Sequence, residues 1–334
     1  MLHCRAMVWR FLPIASALGS LLLAGCGGDS DGPASKTPQR RFLSIGTAPP
    51  GGAFFVVGGA LSEVLNGHLD GRWQVTSEAT KGSRENIRRL GAGELDFALS
   101  NAAITYFAVR GEAGWERSFP IRGVMTLAPN VALFLAGEGS GVEQIADLEG
   151  KRAVVGPAGA GFEFFLAPIL KAHDLTYDDF KPLYSTQAGA VDMLADRSAV
   201  AAFLGGAVPT ASITQATASQ RVRFVPYGEA AVAALVEEYP FFDRAVIPAG
   251  TYRGQDEDFH GLNVGSMHLI TSAEQDEGLV YRVTRAIYEN RAEVVEKHAA
   301  GKAIRPQVVV RDPGTPFHPG AIRYYREIGI WPDG

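Results

Sequence analysis

Two spacings of apolar residues alternate along residues 42–331. Short apolar runs, ending at glycine or polar residues, predict strands at Phe42–Gly46, Trp73–Thr76, Leu95–Leu99, Val131–Ala136, Arg152–Gly156, Leu183–Ser185 and Val200–Leu204. Between them lie segments with helical periodicity. Residues 58–67 put Leu61, Val64 and Leu65 on one face, and Ser83–Leu90 starts at Ser83 as N-cap and stops before Gly91. Phe162–His173 and Ala188–Leu194 read as helices, Leu279–His298 as the longest helix and Ile322–Ile328 as the last. Strands that alternate with helices call for an α/β fold with parallel strands. The pattern starts once at Phe42 and again at Arg152, which predicts two α/β lobes.

The first 26 residues break this pattern. Arg5 and Arg10 precede an apolar stretch from Phe11 to Leu23, followed by Leu23-Ala24-Gly25-Cys26. Such a segment reads as an export signal, and the cysteine after small residues resembles a bacterial lipobox, in which the thiol is acylated. An ordinary cleavage site and a retained anchor are the alternatives; the apolar run is short for a membrane span. The expected organisation is a signal peptide at 1–25 and a lipidated Cys26 opening a flexible tether at 26–41. The tether is rich in Gly, Ser and Pro.

Composition narrows the function classes. The 334 residues are 46% hydrophobic and 20% charged, which suits a folded protein. The formal charge of −5 becomes −7 once Arg5 and Arg10 leave, so nucleic acid is a poor partner. Cys4 would leave with the signal, so the mature chain keeps one cysteine and forms no internal disulfide. The seven histidines show no metal-ligand spacing, and there is no G-x-S-x-G elbow or Walker A loop. No cofactor, metal or catalysis is expected.

The chain does offer glycine at strand ends: Gly46 to Gly52, Gly156 to Gly161, and Gly205-Gly206. Glycine allows a ligand close to the backbone, and in open α/β sheets ligands bind beyond the carboxyl ends of strands. Helix N-termini there present free N–H groups to anions. Each loop alone is equally well read as a tight strand-to-helix turn.

Taken in order, several segments resemble one family. They are Ser44-Ile45-Gly46-Thr47 with Gly51-Gly52-Ala53-Phe54-Phe55, then Lys81-Gly82-Ser83-Arg84-Glu85-Asn86, then Gly93-Glu94-Leu95-Asp96-Phe97-Ala98. Leu148–Arg152, Ile247–Tyr252 and His318–Tyr325 complete the set. The chain resembles the TAXI solute receptors, the extracytoplasmic binding proteins of one class of TRAP transporters. The resemblance implies a bilobed, type II periplasmic-binding-protein fold. It implies a cleft for a small organic anion such as a dicarboxylate or amino acid, and delivery to a sodium-driven membrane permease. A receptor for a sensor kinase would use the same cleft. Lobe I is expected at 42–136 plus 263–334 and lobe II at 137–262, with crossings near Val131–Ala136 and Leu262–Ile270.

By the same resemblance, the ligand residues would be Thr47, Gly51, Gly52, Phe54, Phe55, Lys81, Gly82, Ser83, Asn86, Asn101, Gly159, Ala160, Gly161, Phe162, Gly205 and Gly206. The chain departs from the family at some of these positions. Phe54 and Phe55 stand where relatives often have Tyr, and Ala160-Gly161-Phe162 where they have hydroxyls. Asn101 replaces a Gln, and Ala103 replaces an Asp. The lost carboxylate disfavours a ligand ammonium, which needs a partner when buried. Core packing is the alternative for both phenylalanines, and bracing of its own loop for Asn86.

Overall fold

The computed structural model describes residues 41–50 and 52–332. Cys26, the signal and tether segments up to residue 40, and Gly51 lie outside them. In chain order the strands are β1 (Arg41–Gly46), β2 (Trp73–Glu78), β3 (Phe97–Asn101), β4 (Ile121–Thr126), β5 (Val131–Gly137), β6 (Arg152–Val154), β7 (Lys181–Leu183), β8 (Ala201–Gly206), β9 (Val222–Val225), β10 (Phe242–Ile247), β11 (Phe259–Val264) and β12 (Met267–Ser272). The helices are α1 (Ala53–His68), α2 (Ser83–Gly91), α3 (Ala102–Arg110), α4 (Glu163–Lys171), α5 (Gln187–Ala195), α6 (Ala211–Ser219), α7 (Glu229–Glu238), α8 (Glu277–Glu289), α9 (Arg291–Lys297), α10 (Pro306–Val309) and α11 (Pro319–Glu327). None is long and apolar enough to cross a membrane.

The strands form two sheets, one per lobe. The first has the order β2-β1-β3-β12-β4; β1 runs parallel to β2 and β3, and β12 is antiparallel to both β3 and β4. The second has the order β10-β11-β5-β8-β6-β7, with β9 beside the outer half of β5. Every residue of β3 is buried, as expected of a strand covered on both faces. Val57, Leu61, Val64 and Leu65 line the inner stripe of α1 at helical spacing and join the first lobe's core. This is an α/β bilobed architecture.

The chain passes between sheets twice. It leaves β4 through residues 127–130 and returns from β11 through Gly265 and Ser266. The two passages pair with each other: Leu127 N donates to Met267 O at 2.8 Å, and Val264 N donates to Asn130 O at 2.9 Å. Asn263 Oδ1 accepts from Asn130 N (3.0 Å), and Asn263 Nδ2 donates to Ser266 Oγ (2.9 Å).

Three expectations are corrected here. Val131–Ala136 is not the passage or part of the first lobe; it pairs residue by residue with β8 in the second sheet. Its unbroken apolar run says "buried strand" without saying in which sheet. The long C-terminal helix breaks at Asn290, whose side-chain amide donates to Ala286 O, giving α8 and α9. Ser83 is the first helical residue of α2, and Gly82 is its N-cap, at φ 109°.

The lobes also touch through a shared core. Ile104 and Phe107 of α3 belong to the same apolar cluster as Phe164 and Phe165 of α4. Phe164 lies 5.6 Å from the Trp115 ring and 6.0 Å from the Phe107 ring, so this contact is packed rather than grazing.

Candidate functional site

The carboxyl ends of β1, β2 and β3 bring three loops of the first lobe together. Thr47 is fully buried; its Oγ1 donates to Glu78 O at 2.7 Å. Its carbonyl accepts from Thr80 Oγ1 (3.0 Å) and Asn86 Nδ2 (2.7 Å). Asn86 Nδ2 also reaches Leu99 O at 2.8 Å, while its Oδ1 is buried without a partner. Ser83 Oγ accepts from Asn101 N at 2.9 Å. Asn101 caps α3 by accepting from Ala103 N (2.9 Å), and its Nδ2 donates to Gly265 O (2.8 Å) in the return passage. Thr47 with Asn86, and Ser83 with Asn101, therefore form two adjoining hydrogen-bonded sets that frame these loops, the second tied through Asn101 to the return passage.

The first turns of three helices meet beside this frame. Arg84 in α2 pairs with Glu163, the first residue of α4, at 3.0 Å across the lobes. The Arg84 guanidinium lies 5.5 Å from the Trp115 ring and 5.4 Å from the Phe164 ring. Its Nε is buried with no partner. Gly161 just before α4 approaches Ile104 in the first turn of α3; a Cβ there would sit 2.8 Å from Ile104 Cδ1. With φ at 94° as well, this position requires glycine.

Other sequence-derived positions fall into distinct settings. Gly52 and Gly82 are the N-caps of α1 and α2, and neither helix start is closed by a side-chain hydrogen bond. In α1 the Phe55 N–H turns back to Gly52 O at 3.1 Å, while the N–H groups of Ala53 and Phe54, and of Ser83 to Glu85 in α2, have no partner among the described residues. Phe54 packs on the first lobe's core, whereas Phe55, half-buried, belongs to neither core. Lys81 is exposed and joins no ion pair among the described residues. Gly159 is exposed and Ala160 half-buried in the loop after β6. The Phe162 ring packs against Gly156 and lies 5.1 Å from the Phe165 ring, so it serves the loop's own packing. Gly205 and Gly206 end β8. Gln187 Nε2 donates to Gly205 O (2.9 Å), and Gly205 N donates to Gln187 Oε1 (3.2 Å), as a neighbouring strand would do.

Sequence reasoning missed Arg84, Glu163, Thr80 and Gln187. Gln187 carries no spacing signal at all. Arg84 sits inside the quoted segment but reads as one more charge on a helix surface until α4 is placed beside it. A groove of about 880 Å³ lies elsewhere, where Gly137–Glu143, Thr217–Arg223 and Arg253–Gly254 meet. That is the Gly137 end of β5, away from the loops above, where Arg221 pairs with Glu138 and Arg223 with Glu143. Convergent strand ends, rather than volume, mark the candidate site.

Buried beside the hinge is His268 of β12, with Nε2 2.8 Å from Thr105 Oγ1. Burial alone pulls its pKa down to about 3, so the ring is neutral at pH 7.

Two mixed α/β lobes, joined by two passages and facing each other at strand ends, define the bilobed periplasmic-binding-protein fold. The chain belongs to the NMT1-like family, which it matches over residues 45–329. Solved structures share the fold at low identity. PhnD1 of Prochlorococcus marinus, in complex with methylphosphonate, is 9% identical over 86% of this chain and 98% of its own, with a TM-score of 0.55. The binding-protein component of a phosphonate ABC transporter from Pseudomonas aeruginosa is 9% identical over 78% of this chain and 79% of its own, with a TM-score of 0.52.

Proposed function

We propose that this protein is an extracytoplasmic solute receptor that closes on a small organic anion and hands it to a membrane permease without turning it over. The observation that carries the reading is the meeting of the first turns of α2 and α3 from one lobe with that of α4 from the other. With the uncapped starts of α1 and α2 they bring the positive ends of several helices together, which suits a carboxylate. The finer assignment is a TAXI-type receptor of a TRAP transporter, supported by the Gly82-Ser83 and Asn86 helix start and the Ile247–Tyr252 and His318–Tyr325 segments. Lipidation at Cys26 would hold it at the membrane surface. The ligand set carried into this reading is the frame and loops named above, with Gly51.

A thermal-shift screen tests it. A ligand at 100 times its Kd adds about 2.7 kcal/mol to stability. At least one small carboxylate should therefore raise the melting temperature. Phosphonates form the second arm of the screen, because PhnD1 shares the fold and was solved with methylphosphonate. A melt moved only by cations or neutral sugars would overturn the anion reading. Separately, Cys26→Ser should release the protein from membranes; unchanged partitioning would remove the anchor.

A further inference from the structure

The segment Ile247–Tyr252 leads from β10 into the loop before β11, at the end of both strands away from the passages between the sheets. The loop is built to hold one shape. Gln255, 7% exposed, donates from Nε2 to the carbonyls of Ile247 (3.0 Å), Pro248 (3.1 Å) and Glu257 (2.8 Å). Tyr252 is buried; its hydroxyl accepts from Thr210 N at 2.7 Å, and its ring lies 5.8 Å from that of Phe224 in β9. Arg253 comes between these two anchors in the chain. Its Nη1 donates to Ala218 O near the end of α6 (3.3 Å), and it joins no ion pair among the described residues.

A rigid loop thus places a free guanidinium on the wall of the groove of about 880 Å³ in the second lobe. Arg221 and Arg223 line the same groove, two residues apart on extended backbone and so on one side of it. Phe224 points the other way and packs on Tyr252 and Phe259, which holds β9 from its apolar side. Among the described residues, β9 has a strand neighbour on one side only, β5. Glu138 and Glu143 pair with Arg221 and Arg223 at 3.4 Å, but all four side chains are more than half exposed. Such pairs are worth about 0–1 kcal/mol, so an incoming carboxylate replaces them at little cost. Lys151 adds a further cation at the rim, where its Nζ donates to Gly141 O (2.6 Å). In a chain of net charge −5, this groove carries more cations than anions.

We infer that this groove is an interaction surface for an extended acidic segment of a partner protein, laid along the unpaired edge of β9. The carboxylates of the segment meet Arg221, Arg223 and Arg253, and the free edge of β9 offers its main chain a ladder to join. Arg253 is the anchor, because no acid of this chain competes for it and its loop is fixed before the partner arrives. A basic segment is turned away, since it would bring like charge against Arg253. The inference does not depend on what the cleft holds.

Fluorescence anisotropy with a fluorescein-labelled peptide of alternating Glu and Val, and with its Lys and Val counterpart, tests this. The acidic peptide should bind and the basic one should not. Arg253→Ala should weaken the acidic peptide by about ten-fold, the return of one charge-assisted hydrogen bond. Glu143→Gln should tighten it by about two- to three-fold, because it frees Arg223. Both variants should melt at the parent temperature, since both side chains are exposed. Failure of the acidic peptide to bind, equal binding of the basic one, parent affinity in Arg253→Ala, or weaker binding in Glu143→Gln overturns the inference. So does displacement of the peptide by citrate at the same carboxylate concentration, which would assign the groove to a free anion instead.

Discussion

The two rims of the cleft are built in opposite ways. On the first lobe, Thr47, Thr80, Ser83, Asn86 and Asn101 are all buried; side-chain hydrogen bonds lock Thr80 and Asn86 onto Thr47, and Ser83 onto Asn101. On the second, Gly156 and Gly161 hold positive φ, and Gln187 substitutes for a strand neighbour along Gly205. The first rim is a frame of polar side chains set before any ligand arrives; the second is bare backbone held by close packing. Both rims are thus fixed in advance, one by side-chain hydrogen bonds and the other by close packing, which suits the proposed receptor role because less order has to be imposed on binding. The shared α3–α4 core holds the two rims in contact.

That contrast can be broken at several points. The largest effect belongs to the contact between rims. Phe164→Ala removes the ring between Trp115 and Phe107 and should cost about 3–5 kcal/mol in urea unfolding. A loss below 1 kcal/mol would mean that the lobes do not share a core there.

Asn86→Ala is next. It strips two hydrogen bonds from the buried Thr47 and Leu99 carbonyls, so the frame should lose about 1–3 kcal/mol. Gln187→Ala on the other rim is half-buried and water can replace it, so the cost there should stay near 1 kcal/mol. Equal losses would erase the distinction between rims.

A pH series adds a third test. Folded His268 stays neutral down to about 3, whereas an unfolded histidine takes a proton near 6.5. Its neutral burial has no cost above pH 6.5. Below that the unfolded chain binds the extra proton, so stability falls by about 1.4 kcal/mol per pH unit from this group, until pH nears the folded value. His268→Gln should flatten the slope between pH 6.5 and 5; an unchanged slope would place the titration elsewhere.

Much of this was legible in the sequence. Alternating periods gave two α/β lobes, and glycine after strands pointed to the loops at their ends. The frame residues Thr47, Ser83, Asn86 and Asn101 were legible as a group, but not what each one holds. Ser83 looks like a cap because Ser is common there, yet Gly82 takes that place and Ser83 turns to Asn101 N. The α3 helix went unread because Ala-Ala-Ile-Thr-Tyr-Phe is apolar nearly all round and shows no stripe. Without α3 and α4 side by side, the Arg84–Glu163 pair is invisible.

That pair gives a smaller prediction. Arg84→Ala should cost about 1 kcal/mol, little of it from the partly solvated bridge and most from the guanidinium over the Trp115 and Phe164 rings. The ligand-free radius of gyration in small-angle scattering should stay unchanged, because the shared α3–α4 core still joins the lobes. A widened protein would make this bridge, and not the core, the cross-lobe latch.

The central claim is that the cleft selects a negative charge at the start of α2. The direct measurement is calorimetric titration of the protein with the best carboxylate from the screen and with its neutral carboxamide, which has almost the same shape. A charge-assisted hydrogen bond is worth about 1.5–3 kcal/mol, so the account predicts that the amide binds about ten-fold or more weakly. Equal affinity for the acid and its amide would contradict it.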